Sequence, residues 1–237
     1  MKTKIDVIAS SSGGNAYRLS CGGGNLLIEC GIPYRKLLRA LDFSLTDIDG
    51  VLLSHCHSDH SAAARELVRR GISVYSSAAT FEALGLSGHR CRAVKAHEPF
   101  MIGGISVYPF DVQHDAPDPL GFVITDTASG ERTLFFTDTY YVEYVFSGVD
   151  VIMGEVNYSM KTLSADMSAA RRERLMTSHM SLEHFLQLLR AYDTPRLKKV
   201  YAMHLSDDNS DEEYFRREIS RAVSAEVEVI ICERSII

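Results

Sequence analysis

The sequence predicts an α/β protein made of layered, mixed β-sheets and helices, and two observations lead to that prediction. Short segments rich in apolar and β-branched residues occupy much of the first two thirds of the chain, separated in places by Gly-rich turns. In the last third, helical and strand-like segments alternate instead. Strands that follow one another and then alternate with helices are typical of a layered α/β domain with mixed sheets.

The pattern of apolar residues places each element. Strands are predicted at 5–9, 16–20, 25–29, 50–54, 72–76, 105–110, 121–126, 133–137, 149–156, 198–204 and 227–231. Helices are predicted at 34–43, 61–70, 162–176, 181–192 and 211–223. The helix at 181–192 has the clearest apolar face, and Ser181 is a good N-cap. No Pro/Gly/Ser-rich linker divides the chain, so we expect a single domain over 1–237.

The composition and net charge of the chain limit its expected cellular location and its expected classes of partner. The 237 residues contain no apolar run near the ~20 residues of a membrane helix, and the N-terminus does not read as a signal peptide. We therefore expect a cytoplasmic protein without a membrane partner. A net charge of −6 argues against an obvious nucleic-acid binder. The densest basic stretch is RRER (171–174) together with Lys161, and a solvated helix face is the favoured interpretation of it.

The stretch VLLSHCHSDHSAAA (51–64) places three histidines and an aspartate directly after an apolar run: His55, His57, Asp59 and His60. Polar groups crowded at a strand end would be costly to bury without partners. On an extended tip His55 and His57 point the same way, while Asp59 and His60 follow the turn and can face a second point. A bimetal site needs two such points, about 3.5–4 Å apart. Imidazole with carboxylate suits zinc, manganese or iron.

Three further polar residues each close an apolar strand: His114, Asp138 and His204. A single histidine in such a place is more often structural, but the repetition favours a shared site. His89, His97 and His184 have no such context, and we interpret them as structural or exposed. Cys56 is expected to face the core rather than bind metal.

This order of residues resembles the metallo-β-lactamase-fold hydrolases, and over nearly the whole chain it resembles their YycJ/WalJ group. The segments that carry the resemblance are IASSSGGNAYRL, LLIECG, HxHxDH, GEVNY, SHMSLE and MHLSDDNS. The resemblance implies a four-layer αβ/βα sandwich of two mixed β-sheets flanked by helices. It also implies two divalent metal ions, Zn²⁺ or Mn²⁺ with iron as an option, and a metal-bridged hydroxide as nucleophile.

The resemblance further implies seven ligands. His55, His57 and His114 match the ligands of the first metal, Asp59, His60 and His204 match those of the second, and Asp138 matches the bridging carboxylate. Where the group usually has Asp, this chain has Glu29. Glu29 would orient a histidine ligand or hydrogen-bond a loop backbone, and both readings stay open.

The phosphodiesterases of this fold, tRNase Z and PhnP-like enzymes among them, carry an extra histidine before the final ligand strand. His179 in SHMSLEHFLQLLRAY holds that place and would protonate the leaving alkoxide as general acid. Glu155 in GEVNY would hold His179 in orientation. Asp59, His179 and Glu155 are thus the residues for which the resemblance implies catalytic roles.

We therefore expect a dinuclear-metal-dependent phosphodiesterase or nuclease, with a DNA exonuclease as one form of it. Its substrate would be nucleic acid or a small phosphodiester. The alternative on the same fold is a thioester or lactone hydrolase of the glyoxalase kind, which needs no acid such as His179. A third reading is iron redox chemistry or a purely regulatory metal site. The native metal and the oligomeric state stay open, and a homodimer is one option.

Overall fold

The computed structural model describes residues 2–192 and 195–232, which divide into two compact units. The first unit extends to Asp111 and includes Ala116–Glu131, and the second comprises Val112–Asp115 and Arg132–Cys232. The prediction of a single domain over 1–237 reaches beyond the described residues and stays a prediction.

A six-stranded mixed sheet organises the first unit. Its strands, in spatial order, are β1 (Lys4–Ser11), β2 (Gly14–Cys21), β3 (Gly24–Ile28), β4 (Gly50–Leu52), β5 (Val74–Ser76) and β6 (Cys91–Ala93). β1, β2 and β3 pair antiparallel through tight turns, and β3 to β6 pair parallel. A parallel strand requires a crossover, so helices connect this half of the sheet. They are α1 (Tyr34–Ala40), α2 (Ser58–Ser61), α3 (Ala64–Arg69) and α4 (Ala78–Leu84).

The core of the first unit lies between this sheet and its helices. Val51 and Leu53, two residues apart, are both fully buried and pack in one cluster with Leu37, Leu67 and Phe81. The unit also holds an antiparallel ladder of β7 (Phe100–Ile102), β8 (Ile105–Asp111) and β9 (Leu120–Asp126).

Four parallel strands form the centre of the second unit, in the order β10 (Arg132–Phe136), β11 (Val151–Glu155), β12 (Lys199–Met203) and β13 (Glu228–Ile231). The helices are α5 (Ala169–Ser178), α6 (Leu182–Tyr192) and α7 (Glu212–Ala222). In register, Phe136 pairs with Gly154, and Glu155 pairs with Met203. The carboxyl ends of these strands therefore finish at one edge, which is where ligand-binding residues collect in parallel sheets.

Most predicted elements are confirmed, with shifted ends. The helix predicted at 61–70 is two pieces, α2 and α3, and it begins earlier, directly after the first two histidines of the HxHxDH motif. The helix predicted at 162–176 begins only at Ala169, because the Ser168 side chain accepts the Arg171 N–H and caps it there.

Three elements escaped the prediction: α4, β6 and β7. β6 and β7 have only three residues each, which is too short to show a period-two apolar alternation. α4 did leave signals in the sequence. Ser77 caps it by accepting the Thr80 N–H, and Gly85 ends it in the left-handed conformation.

No helix within 2–192 and 195–232 has the length and apolar character needed to cross a membrane.

Candidate metal centre

His55, His57, Asp59 and His60 form one group in the first unit, here called the motif cluster. β4 ends at Leu52, and His57 caps α2 in an extended conformation, so the chain turns within the motif. The ring of His55 lies 4.7 Å from that of His57 and 4.3 Å from that of His60, between centroids. His60 Nε2 is 3.3 Å from Asp59 Oδ2. Contiguous sequence thus becomes a compact group of imidazoles and a carboxylate.

Glu29 and Ser54 hold the imidazoles of the motif cluster. Glu29 Oε2 is 3.2 Å from His60 Nδ1, and Glu29 Oε1 accepts the Ser54 N–H at 2.9 Å. The Ser54 hydroxyl lies 2.8 Å from His55 Nδ1. A ring whose Nδ1 is held in this way presents Nε2 to a metal, as ligand histidines usually do. Glu29 therefore fills both roles that the sequence left open, since it bonds a histidine and a loop backbone.

The LLIECG segment is joined to the motif cluster through backbone bonds. Cys30 N–H donates to the His60 carbonyl at 2.8 Å, and Ala63 N–H donates to the Cys30 carbonyl at 2.9 Å. A Cβ at Gly31 would stand 1.6 Å from the Asp59 carbonyl oxygen, so only glycine allows this approach. The likeness of LLIECG to the family motif thus has a steric basis.

Asn15 is a residue of this site that the sequence reasoning missed. Its side-chain amide donates to the Asp59 carbonyl at 3.3 Å and lies 3.4 Å from His60 Nε2. Asn15 is almost fully buried. The sequence shows Asn15 only as the last residue of the SSGGN turn. Asparagine is common in turns for local reasons, so this position did not indicate a role in the site.

A second group, here called the strand-end cluster, lies in the second unit. It comprises His114, Asp138, Glu155, His179 and His204. Asp138 follows β10, Glu155 ends β11 and His204 follows β12, while His179 ends α5. Asp138 Oδ1 is 2.9 Å from His204 Nδ1, and Asp138 Oδ2 is 3.5 Å from His114 Nε2. The three strand-end residues singled out in the sequence are therefore brought together.

Glu155 is the centre of the strand-end cluster and is fully buried. Its Oε1 lies 2.6 Å from His179 Nδ1 and 3.0 Å from His204 Nδ1. Its Oε2 accepts the N–H of Thr139 at 3.1 Å and that of Met180 at 3.2 Å. One carboxylate thus orients two imidazoles and fixes two backbone segments.

Charge complementarity decides the protonation states of Glu155 and His179. Burial acts to raise the pKa of Glu155, but the charge of His179 and the hydrogen bonds from His179 and His204 outweigh it and lower that pKa. Burial acts to lower the pKa of His179, but the charge and hydrogen bond of Glu155 outweigh it and raise that pKa. The pair therefore favours a carboxylate beside an imidazolium.

The pKa values of His114 and Glu29 shift in the directions opposite to those of His179 and Glu155, because burial dominates. Burial lowers the pKa of His114 despite the nearby charge of Asp138. The Ser178 carbonyl lies 3.2 Å from His114 Nδ1, so Nε2 of the neutral ring carries the lone pair. Burial raises the pKa of Glu29, and the contacts with His60 and Ser54 only reduce that shift.

Positive φ occurs at two residues of the strand-end cluster and at the glutamate that supports the motif cluster. Glu29, Asp138 and His204 have φ of 62°, 47° and 53°, in the left-handed region that non-glycine residues seldom adopt. Such strain persists where surrounding structure holds a residue in a required place, and it concentrates at functional sites.

The donor chemistry of the clusters fits divalent transition metals. Within the second unit, Asp138, Glu155, His179 and His204 each offer a ligand atom, and these atoms lie within 4.8 Å of one another. Imidazole nitrogen with carboxylate oxygen suits zinc, manganese or iron rather than calcium. Carboxylates and carbonyls at the second ring nitrogens are the supports that ligand histidines usually have.

Residues outside the clusters behave as structural or exposed groups. Both ring nitrogens of His97 have partners, Tyr108 and Asp111, and His184 faces the Tyr140 carbonyl. Cys56 is half-buried rather than fully in the core. In the RRER stretch, Arg174 pairs with Asp115 at 3.0 Å, and Arg171 lies 3.8 Å from Asp208. These pairs with exposed carboxylates agree with the solvated helix face expected for this stretch.

The profile of the beta-lactamase superfamily domain matches residues 24–205, well over half of the chain. The chain belongs to the metallo-β-lactamase superfamily. The predicted fold class, with two mixed β-sheets and helices, is confirmed. The chain is a metallo-β-lactamase-fold hydrolase with a candidate metal site of histidines and aspartates.

Two sequence relatives of this superfamily confirm the likeness to the YycJ/WalJ group. The exodeoxyribonuclease WalJ of Streptococcus pneumoniae is 28% identical over 228 residues, covering 89% of this chain and 84% of the relative. The exodeoxyribonuclease YycJ of Bacillus anthracis is 26% identical over 242 residues, covering 94% and 90%.

Two solved structures superpose on nearly the full length of this chain. YhfI of Bacillus subtilis superposes with a TM-score of 0.76 at 19% identity, covering 100% of this chain and 99% of that one. Human short-form tRNase Z superposes with a TM-score of 0.63 at 14% identity, covering 98% and 97%. At these identities the structures support the fold and carry no assignment of individual residues.

Proposed function

We propose that this metallo-β-lactamase-fold protein is a dinuclear-metal-dependent phosphodiesterase that removes nucleotides from DNA ends. The observation that carries the proposal is the contact between the buried Glu155 and the partly exposed His179, which provides a proton donor in the strand-end cluster. The similarity to two exodeoxyribonucleases supports DNA as the polymer.

The motif cluster and the strand-end cluster would provide the ligands. In this assignment His55, His57 and His114 would hold one ion, Asp59, His60 and His204 would hold the other, and Asp138 would be a ligand of both. When bound, two divalent ions would lower the pKa of water to about 7 and stabilise charge on the phosphate.

His179 would donate the proton that a phosphodiester requires. The leaving group of such an ester is an alkoxide, which departs readily only if it is protonated. Glu155 Oε1 lies 2.6 Å from His179 Nδ1, and despite burial its charge and hydrogen bond raise the pKa of the imidazole, which favours the protonated ring that a general acid needs. The His179 side chain is 22% exposed while Glu155 is fully buried, so the ring can meet a substrate and its support cannot.

The same pair separates the proposal from thioester hydrolysis. A thiolate departs without a proton, so a thioesterase gains little from His179. An imidazolium held by a buried carboxylate therefore favours the phosphodiester.

The test is release of nucleotides from end-labelled double-stranded DNA, single-stranded DNA and RNA, with Mn²⁺ or Zn²⁺ added. We expect the wild type to degrade DNA, and Asp138→Ala to bind less metal and fall to background. Asp47→Ala removes an exposed aspartate outside both clusters and should match the wild type.

Two outcomes would overturn the proposal. The first is metal-loaded wild type that degrades none of the polymers and hydrolyses thioesters or lactones instead. The second is DNA degradation that persists in Asp138→Ala, which would point to a contaminating nuclease.

A further inference from the structure

A pocket of about 410 Å³ lies in the second unit, outside the strand-end cluster. Its lining residues are Lys161, Thr162, Asp211, Glu213, Tyr214 and Arg217. Lys161 Nζ is 5.2 Å from the centre of the Tyr214 ring, and the Arg217 guanidinium carbon is 5.3 Å from it. Two cations therefore stand at one half-buried aromatic ring, within the range of cation–π attraction.

Hydrogen bonds tie the loop that carries Lys161 to the loop that follows His204. The Thr162 hydroxyl donates to the Asn209 carbonyl at 2.5 Å, and Ser164 N–H donates to the Asn209 side chain at 3.0 Å. At the start of this loop, the Asn157 side-chain amide donates to the His204 carbonyl at 2.9 Å. The pocket is thus built on the same loops that follow Glu155 and His204.

We propose, resting on the proposed function, that this pocket binds the polynucleotide strand beyond the scissile phosphodiester. Lys161 and Arg217 contact a backbone phosphate, and the Tyr214 ring carries a base. A cation beside an aromatic ring is the combination by which proteins hold single strands without reading sequence. A small phosphodiester lacks the neighbouring nucleotides and gains nothing from this pocket.

Acidic residues in and beside the pocket reduce the positive charge that a phosphate would meet. The Asp211 carboxylate is committed to α7, because it accepts the Tyr214 N–H at 2.8 Å. Arg217 Nε also pairs with Glu218 at 3.2 Å, so part of its charge is balanced already. Glu213 is an exposed lining residue of the pocket, and its negative charge would repel a bound phosphate. Removing the Glu213 charge should therefore tighten binding, while removing either cation weakens it.

The first experiment measures binding of a fluorescein-labelled single-stranded oligonucleotide to the metal-loaded protein by anisotropy over a series of salt concentrations, with phosphorothioate linkages in the oligonucleotide to slow cleavage. Lys161→Ala/Arg217→Ala should flatten the salt slope by about 0.7 for each phosphate that the variant no longer neutralises. Tyr214→Ala should weaken binding about tenfold, and Tyr214→Phe should retain it. Glu213→Gln should bind more tightly than the wild type.

Lys36→Ala/Arg39→Ala is the matched control, because it also removes one lysine and one arginine, from the exposed side of α1. Its affinity and salt slope should equal those of the wild type. Circular dichroism checks that every variant is folded, and Tyr214→Phe gives a reading even if Tyr214→Ala does not fold.

The second experiment compares kcat/KM for DNA and for bis(p-nitrophenyl) phosphate. The pocket variants should lose activity on DNA and keep activity on the small ester within about twofold. Pocket variants that bind the oligonucleotide like the Lys36→Ala/Arg39→Ala control overturn the pocket proposal alone. Wild type that hydrolyses neither substrate overturns the proposed function, whereas the anisotropy result still decides whether the pocket binds DNA.

Discussion

The motif cluster and the strand-end cluster rest on buried glutamates of the same design. In each, one carboxylate oxygen contacts imidazole and the other accepts backbone N–H: Glu29 serves His60 and Ser54, and Glu155 serves two histidines and two backbone segments. The partners of each glutamate set the direction in which its pKa moves. Burial raises the pKa of Glu29, whereas Glu155 has enough partners to lower its pKa.

The two clusters also differ in how the chain assembles them. Six consecutive residues supply the motif cluster, so local backbone geometry brings them together. The strand-end cluster draws on distant segments: the register of parallel strands places Asp138, Glu155 and His204, the end of α5 places His179, and the segment after β8 supplies His114. The following substitutions compare how strongly each cluster depends on the groups that support its histidines.

The largest effect should come from His179→Ala, because only the strand-end cluster holds a proton donor in this proposal. Turnover of an ester with an alkoxide leaving group should fall about 10²- to 10⁴-fold. Turnover of bis(p-nitrophenyl) phosphate, whose leaving group needs no proton, should change little. His184→Ala removes an exposed histidine nearby in sequence and serves as control. An equal loss on both esters would contradict the acid role.

Glu155→Gln should come next, with a loss of about 100-fold in metal affinity or activity, the upper part of the range for such supports. Glutamine keeps the shape but lacks the charge that holds His179 and His204. Metal titration of the purified variant and steady-state kinetics measure the two effects. If Glu155→Gln loses no more metal affinity or activity than Glu29→Gln, the number of hydrogen-bond partners does not determine how much each glutamate contributes.

Glu29→Gln should cost about tenfold in metal affinity, the lower part of the same range. The glutamine carbonyl can still accept the Ser54 N–H, and only the contact with His60 Nδ1 is impaired. Glu98→Gln changes an exposed glutamate of the same unit and should match the wild type in the same titration. Unchanged metal affinity in Glu29→Gln would mean that His60 needs no support.

Ser54→Ala should have the smallest effect, about 0.5–1.5 kcal/mol in the free energy of unfolding. It removes one hydroxyl at 2.8 Å from His55 Nδ1 and leaves Glu29 in place. Denaturant titration of metal-free protein measures this difference. A loss well above that range would show that Ser54 has a wider role in the motif cluster.

Much of the fold and of the candidate site could be predicted because the decisive signals are local. Apolar runs predict the strands, and the motif HCHSDH (55–60) by itself predicts a cluster of metal-binding side chains. His114, Asp138 and His204 were found since each closes an apolar strand, and the structure brings these three together. Asn15 was not found, because an asparagine in a Gly-rich turn has an ordinary explanation that the sequence cannot distinguish from a site role.

By itself, the sequence determined which residue types stand at the ends of strands, since periodicity and turn residues act over a few positions. Only the tertiary structure decided that one oxygen of Glu155 faces both His179 and His204, and that Tyr214 stands beside Lys161. The two contacts of Glu155 join residues 24 and 49 positions apart. Their geometry follows from strand register and helix packing, which no short segment of the chain specifies alone.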